Sequence, residues 1–526
     1  MRTVFLILIA LILCTTTPVA AAQGKKILYV PIDNRPCNFY QVVQVAEKLG
    51  YEILTPPAEM LGSRENRGDV AGMWRWLNET APQADFAVLS TDALIYGSLV
   101  ASRMHDLSAE EILARAQRFK VFREKFSYLP IYAFGTIMRT PRSGNKASAE
   151  PDYYYTHGEK IYQYTALLDK QETGKLSSGD RRRLKKLEAE IPAEYLDDWF
   201  KRRAKNSDAN ELFVKYTRAG VFDYFLLGCD DSAMFGQTHR ESRQLTNLAS
   251  DMGKTVLQVT SGADELGMLM IARAINKDRD QIPFVSVMYN DGKGAATFPD
   301  YGNEPIGISI DAAIIAAGGL RIPAPERADL VLAVNTRESG KTFEAATKKN
   351  KPRLRSDLKT FLKPVKQYIE AGYPVAIADV AFSNGADNAL MNQLKRDDLQ
   401  YKIKAYGGWN TATNSSGFLI GAGVLTPFMD DKAVAELLTT RYLDDWAYQA
   451  NVRQEIVGAS YGIAGDGTPL NLKEKLPPLE KLLNEKMTTF IENNLRLPSR
   501  WRLKGLTVRL PWQRTFECDP RFELTD

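Results

Sequence analysis

Short apolar, β-branched or aromatic runs recur along the chain, each followed by a turn and then by a stretch with helical periodicity. The first series of strand candidates covers Lys26–Ile32, Tyr51–Leu54, Phe86–Ser90, Pro130–Ile137, Phe222–Cys229 and Thr255–Thr260. Several are apolar at consecutive positions, the pattern of strands covered on both faces. Helical stretches such as Tyr40–Leu49, Val70–Leu77 and Ala109–Phe126 lie between them. This alternation predicts a parallel sheet with helices on both sides. From about Asp152 to Arg218 the rhythm gives way to long charged segments, read as a helical insertion. A second strand series follows at Phe284–Tyr289, Leu330–Asn335, Val375–Val380 and Ile403–Tyr406. Beyond Thr426 the pattern is helical, over Asp431–Val452 and Pro478–Leu495, and Gly505–Leu524 reads as a closing strand pair. The expected fold is α/β, with two parallel-sheet, Rossmann-like domains at 24–280 and 281–425 and a mainly helical portion at 426–526. A distorted β/α barrel fits the same alternation.

At 526 residues, 44% hydrophobic and 25% charged, the chain can bury more than one ordinary core and is not compositionally disordered. The net charge of +4 and the lack of basic runs interleaved with aromatics argue against a nucleic-acid partner. The cluster Arg181-Arg182-Arg183-Leu184-Lys185-Lys186 sits among acids and reads as a solvated helix face. At the N-terminus, Arg2, the apolar run Val4–Leu13 and the small residues Ala20–Ala22 form a signal-peptide pattern over 1–23, with cleavage near Gln23 or Gly24. The expected location is therefore secreted or periplasmic, with no membrane span once the signal is removed. Cys14 lacks the small residue that a lipoprotein site requires before it, which disfavours anchoring there. Cys37, Cys229 and Cys518 allow at most one disulfide, and small buried thiols are the simpler reading.

Candidate chemistry lies where the strand runs end. In an open α/β sheet, ligands bind beyond the carboxyl ends of the strands. Asp33 with Arg35, Asp92, the doublets Asp230-Asp231 and Asp264-Glu265, and Asp379 all occupy such positions. One aspartate could cap the next helix, but a doublet leaves a second carboxylate that needs water, a cation or a substrate. Pro36 forces a turn that holds Asp33 and Arg35 on a loop, where Arg35 could orient the carboxylate or grip an anionic group; a mutual ion pair fits equally. Tyr96 lies four residues after Asp92, on one helical face with it, where a ligand site and ordinary packing remain open. Asp230, Asp231, Asp264 and Glu265 are the candidate catalytic set, since paired carboxylates suit acid–base or nucleophilic work on a glycosidic bond. Arg103, His239 and Asn384 are candidate substrate contacts, and Trp409 beside Asn410 reads as a sugar platform with a polar rim. Three histidines are too few and too scattered for a zinc site, and neither a phosphate-binding glycine loop nor a nucleophile elbow is present.

These segments together resemble the bacterial domain-of-unknown-function family 4127. The resemblance rests on Asp33 with Arg35-Pro36, Asp92 with Tyr96-Gly97, Ser102-Arg103, Asp230-Asp231 and Gly262-Ala263-Asp264-Glu265, and further on Asp379 with Asn384-Gly385-Ala386-Asp387, and Tyr406 with Trp409-Asn410-Thr411 and Asn414. It spans about residues 25 to 515. The family pattern has a second acid where this chain has Asn34, so no catalytic role is expected of that position. The resemblance implies a site map and no settled activity. From the carboxylates, the expected function is that of an exported carbohydrate-active hydrolase with a glycan or other small polar substrate and no cofactor. A non-catalytic glycan-binding protein and a magnesium- or calcium-assisted phosphoester hydrolase are the alternatives.

Overall fold

The computed structural model describes residues 24–142 and 149–526. The expected signal segment and Cys14 lie outside the described residues. Among the described residues, fifteen strands run in chain order as β1 (Lys26–Val30), β2 (Glu52–Leu54), β3 (Phe86–Ser90), β4 (Ile131–Ile137), β5 (Tyr224–Cys229), β6 (Leu257–Ser261), β7 (Phe284–Tyr289), β8 (Leu320–Ile322), β9 (Leu330–Asn335), β10 (Phe343–Glu344), β11 (Val375–Asp379), β12 (Phe382–Ser383), β13 (Ala405–Gly407), β14 (Arg502–Arg509) and β15 (Asp519–Thr525). The first six form one sheet in the order β2-β1-β3-β4-β5-β6, and a second has the order β13-β11-β9-β7-β8. Every pairing within these two sheets is parallel. The protein is thus α/β with two parallel sheets, as the alternation of apolar runs predicts. Counting only each sheet's own strands in chain order, the second sheet has the order 2-1-3-4-5, which is that of the first five strands of the six-stranded first sheet, although no repeat is visible in the sequence.

The strands are buried on both faces because alternate residues point into different cores. Ile27 and Tyr29 of β1 and Leu226 of β5 face a central cluster, while Leu28, Val30 and Leu227 face an outer one. The central cluster also takes Leu332 and Val334 of β9, and it is filled by the helices Leu266–Asp278, Ile306–Ala316 and Ala412–Gly423. These helices lie between the two sheets and are shared by both. Val331 and Ala333 face a third cluster, closed by the helices Ser356–Glu370 and Asn388–Arg396. Along Ala412–Gly423 every residue is buried, which a helix sandwiched between sheets requires.

The charged segment after Asp152 is the crossover between the paired strands β4 and β5, built of the helices Tyr154–Glu172, Ser178–Glu190 and Ala193–Arg218. The C-terminal portion is helical over Asp431–Arg441, continues as a π-helix over Tyr442–Val452, and ends in the antiparallel pair β14–β15. Cys37, Cys229 and Cys518 are buried free thiols. No described helix is long and apolar enough to cross a membrane.

Candidate functional site

The carboxyl ends of strands from both sheets open onto one cavity of about 290 Å³. The loop after β1 supplies Arg35, the end of β5 supplies Asp230 and Asp231, the turn after β6 supplies Asp264, and the segment after β13 supplies Asn410, Thr411 and Asn414. Arg103 and Arg139 line it from the first half of the chain, Asn384 follows β12, and Tyr301 comes from the loop after β7. Leu99, Val100, Pro141 and Ala149 add an apolar side from the first half of the chain, and a C-terminal wall is made by Leu470, Trp512, Arg514 and Phe516.

Asp264 is the most heavily bonded acid in the cavity. Its oxygens accept from Arg35 Nη2 at 2.5 Å and Nη1 at 3.2 Å, from Asn38 Nδ2 at 3.2 Å, from Asn410 Nδ2 at 3.1 Å and from Asn414 Nδ2 at 3.4 Å. The other edge of the Arg35 guanidinium is occupied by Asp33, through Nε at 3.0 Å and Nη2 at 2.8 Å. Arg35 is therefore a bridge between two carboxylates from distant parts of the chain, and Asp33 stands behind it as its anchor. This pair fixes the turn at Pro36 and also joins β1 to β6 and, through the asparagines, to the second sheet.

Asp230 is held by the Arg103 guanidinium, with Arg103 itself buried. Burial raises the Asp230 carboxyl above its ordinary range; Arg103 opposes the rise, and the neighbouring Asp231 carboxylate adds to it. Asp231 is the more exposed member of the doublet and accepts from Arg139 Nη1 at 3.0 Å. The backbone turns left-handed at Asp231, φ 31°, which swings consecutive aspartates to different partners. Glu265 lies behind the wall. Its Oε2 accepts from Ala263 N at 2.9 Å, and burial, then the Asp264 charge, push its carboxyl up to about 8.

Five of the nine non-glycine residues with positive φ among those described line this one cavity: Ala149, Asp231, Tyr301, Asn384 and Trp512. Strained backbone persists where the surrounding structure over-determines it, and it gathers at ligand sites. Four of these five residues are not carboxylates, so the same cavity is singled out by more than its acids.

Other candidates are placed elsewhere. Asp92 turns inward and accepts from Thr136 N at 2.8 Å and Oγ1 at 3.0 Å, and burial pushes its carboxyl up to about 7. Tyr96 is buried and stacks on His105 with ring centroids 4.9 Å apart. Asp379 accepts from Tyr406 Oη at 2.7 Å, Asp387 N at 2.7 Å and Asn335 Nδ2 at 2.9 Å. Burial, then the Asp387 charge, raise Asp379 to about 7. Trp409 is only 2% exposed and is not part of the wall, so the aromatic edge of the cavity is Trp512 and Phe516. His239 Nδ1 faces Asp169 Oδ2 at 2.6 Å and lines a separate hollow with Cys229, Arg243 and Glu304. Arg139, Tyr301, Arg514, Trp512 and Phe516 were not among the sequence candidates. Only the aromatic-and-arginine texture of 509–516 could have drawn attention to the last three.

Among the described residues, no three histidine, cysteine or carboxylate side chains are grouped so as to hold a metal ion. The carboxylates of the cavity are engaged by guanidinium and amide groups instead. Comparison with known proteins finds one family model, described as Protein of unknown function (DUF4127), which matches residues 27–520. No curated protein and no solved structure matches the chain.

Proposed function

This chain belongs to the DUF4127 family, and for its cavity we propose hydrolysis of a glycosidic bond in a polar glycan, carried out by an exported protein. The supporting observation is the pair of adjacent, differently placed carboxyls, Asp230 and Asp231, on one polar wall. Acid and base roles separate when the environments of two carboxyls differ. Asp230, buried and raised in pKa, keeps a proton to higher pH and suits the general acid. Asp231, more exposed and held by Arg139, suits the base.

In this scheme Asp230 donates its proton to the glycosidic oxygen as the bond from that oxygen to the anomeric carbon breaks. A water molecule adds to the anomeric carbon and gives its proton to Asp231, so one water is consumed and both sugars leave as free hydroxyl compounds. Asn384, Asn410, Asn414 and Tyr301 supply hydrogen-bonding groups for sugar hydroxyls.

The test is a panel of glycan-strand fragments, neutral oligosaccharides and uronate oligosaccharides assayed for new reducing ends. Wild type should cleave at least one member. Asp230→Asn should lower turnover by about 10²–10⁴-fold, the range that general acid catalysis supplies, with KM little changed. Tight binding without new reducing ends would turn the reading to a glycan-binding protein. Activity lost on chelation and restored by magnesium or calcium would turn it to the metal-assisted hydrolase.

A further inference from the structure

The turn between β14 and β15 carries two consecutive non-glycine residues in the left-handed region, Trp512 at φ 56° and Gln513 at φ 51°. Side chains are disfavoured there, and neither position needs a bulky residue to make a turn. Surrounding contacts fix the conformation. Leu472 N donates to Gln513 O at 2.7 Å, and Thr515 N donates to Pro469 O at 2.8 Å. The Trp512 indole N–H donates to Asn34 Oδ1 at 2.6 Å. The Arg35 guanidinium lies 5.1 Å from the centre of the Trp512 ring, and that of Arg514 lies 4.6 Å away. Glu517 accepts from Arg514 Nε at 2.7 Å and approaches Arg35 Nη1 at 3.7 Å.

We propose that Trp512 is a positioning residue of the cavity, holding Arg35 and, through Arg35, the Asp264 carboxylate in the geometry that a bound ligand meets. A ring against a buried guanidinium attracts it and limits its motion. Arg35 has carboxylates at its edges, Asp33 and Asp264, and Trp512 is the aromatic ring packed against it. The strain at 512–513 is thus the structural cost of bringing an aromatic ring from the C-terminal turn onto the loop that follows β1. The kinetic part of the test rests on the hydrolase reading; the proposal itself does not.

The experiment compares wild type with Trp512→Gly, Trp512→Phe, Asn34→Ala and Gln513→Gly. Exchange protection of the Arg35 Nε–H proton is measured by NMR, the signal being assigned by its loss in Arg35→Lys. Glycine accepts the φ of either turn position, so Gln513→Gly should melt no lower than wild type and keep the protected signal. Trp512→Gly gains the same backbone relief yet should lose protection by about tenfold, as expected for a lost cation–π contact of moderate strength. Trp512→Phe keeps an aromatic face for Arg35 but loses the indole N–H to Asn34, so its protection should lie between those of wild type and Trp512→Gly. Asn34→Ala leaves the turn's backbone alone and should move the signal the same way as Trp512→Gly, which keeps the test open if that variant folds poorly. On the panel fragment that wild type cleaves fastest, kcat/KM of Trp512→Gly should fall in step with the lost protection. Wild-type protection in folded Trp512→Gly, or in Asn34→Ala if the glycine variant does not fold, would overturn the proposal. If wild type cleaves no fragment, the hydrolase reading fails and the Arg35 signal alone decides the role of Trp512.

Discussion

At the scale of single residues, the cavity separates acids by what surrounds them. Asp264 is committed to Arg35 and three asparagines, so replacing it with Asn should weaken the fold as well as any activity. The expected loss is about 2 kcal/mol in denaturant unfolding, typical of hydrogen bonds to a charged group. Asp230 as general acid must be protonated, and its pKa lies above the ordinary carboxyl range. The kcat/KM of wild type should therefore fall as pH rises through that pKa, and a profile rising over the same range would contradict the assignment. Glu265 gives a separate signature in stability. Its folded-state pKa of about 8 exceeds the ordinary 4.5, so the folded state binds the proton more tightly. Its contribution is fully present below 4.5 and is lost as pH rises towards about 8. Glu265→Gln should flatten the decline in unfolding free energy across that window, measured by denaturant titrations at a series of pH values. Asp92 and Asp379, each raised to about 7, retain their own slopes in the variant.

At the scale of elements, the turn after β6 shows how tightly the site is built. Gly262 has φ 114°, and a Cβ there would stand 1.8 Å from Glu265 Oε1. Gly262→Ala should therefore cost about 1–3 kcal/mol from backbone strain alone, with more from displacing Glu265, and a melting curve within a degree of wild type would refute this account of the turn. Strands that carry apolar runs were legible in the sequence because burial on both faces writes itself into consecutive positions. β3, β7 and β9 match their expected bounds, Phe86–Ser90, Phe284–Tyr289 and Leu330–Asn335. The short β8, β10 and β12 have two or three residues and too little periodicity to register. The strand-end rule found Arg35, Asp230, Asp231, Asp264 and Asn410 for the same reason, since each follows a recognisable run. It could not separate them from Asp92 and Asp379, because a helix face and its rotation are not encoded in the position of a strand end. Trp409 was attractive for its polar neighbours, but its own burial is set by packing that spacing does not reveal. The C-terminal turn escaped notice because its partners are remote: the Trp512–Asn34 hydrogen bond joins positions 478 residues apart.

At the scale of the whole molecule, the two sheets share one layer of helices, and that layer determines how the protein should come apart. Gly421 packs so closely on Met268 that an added Cβ would lie 3.0 Å from its Cγ, which ties Ala412–Gly423 to Leu266–Asp278. A fragment comprising residues 24–280 would expose Met268, Leu269 and Ile271 of that layer. It should fail to give a cooperative unfolding transition, whereas the whole chain should show unfolding of the two sheets in a single step by circular dichroism and tryptophan fluorescence. Two separate transitions in the whole chain would mean that the shared layer does not couple them. The reach of the contact between Asn34 and Trp512 has a further consequence for synthesis. A ribosome that has already produced β1 and its loop must still add more than four hundred residues before the ring that covers Arg35 exists. Chains cut short by a premature stop before Trp512 lack that wall, so even a well-folded pair of sheets would present an unfinished pocket.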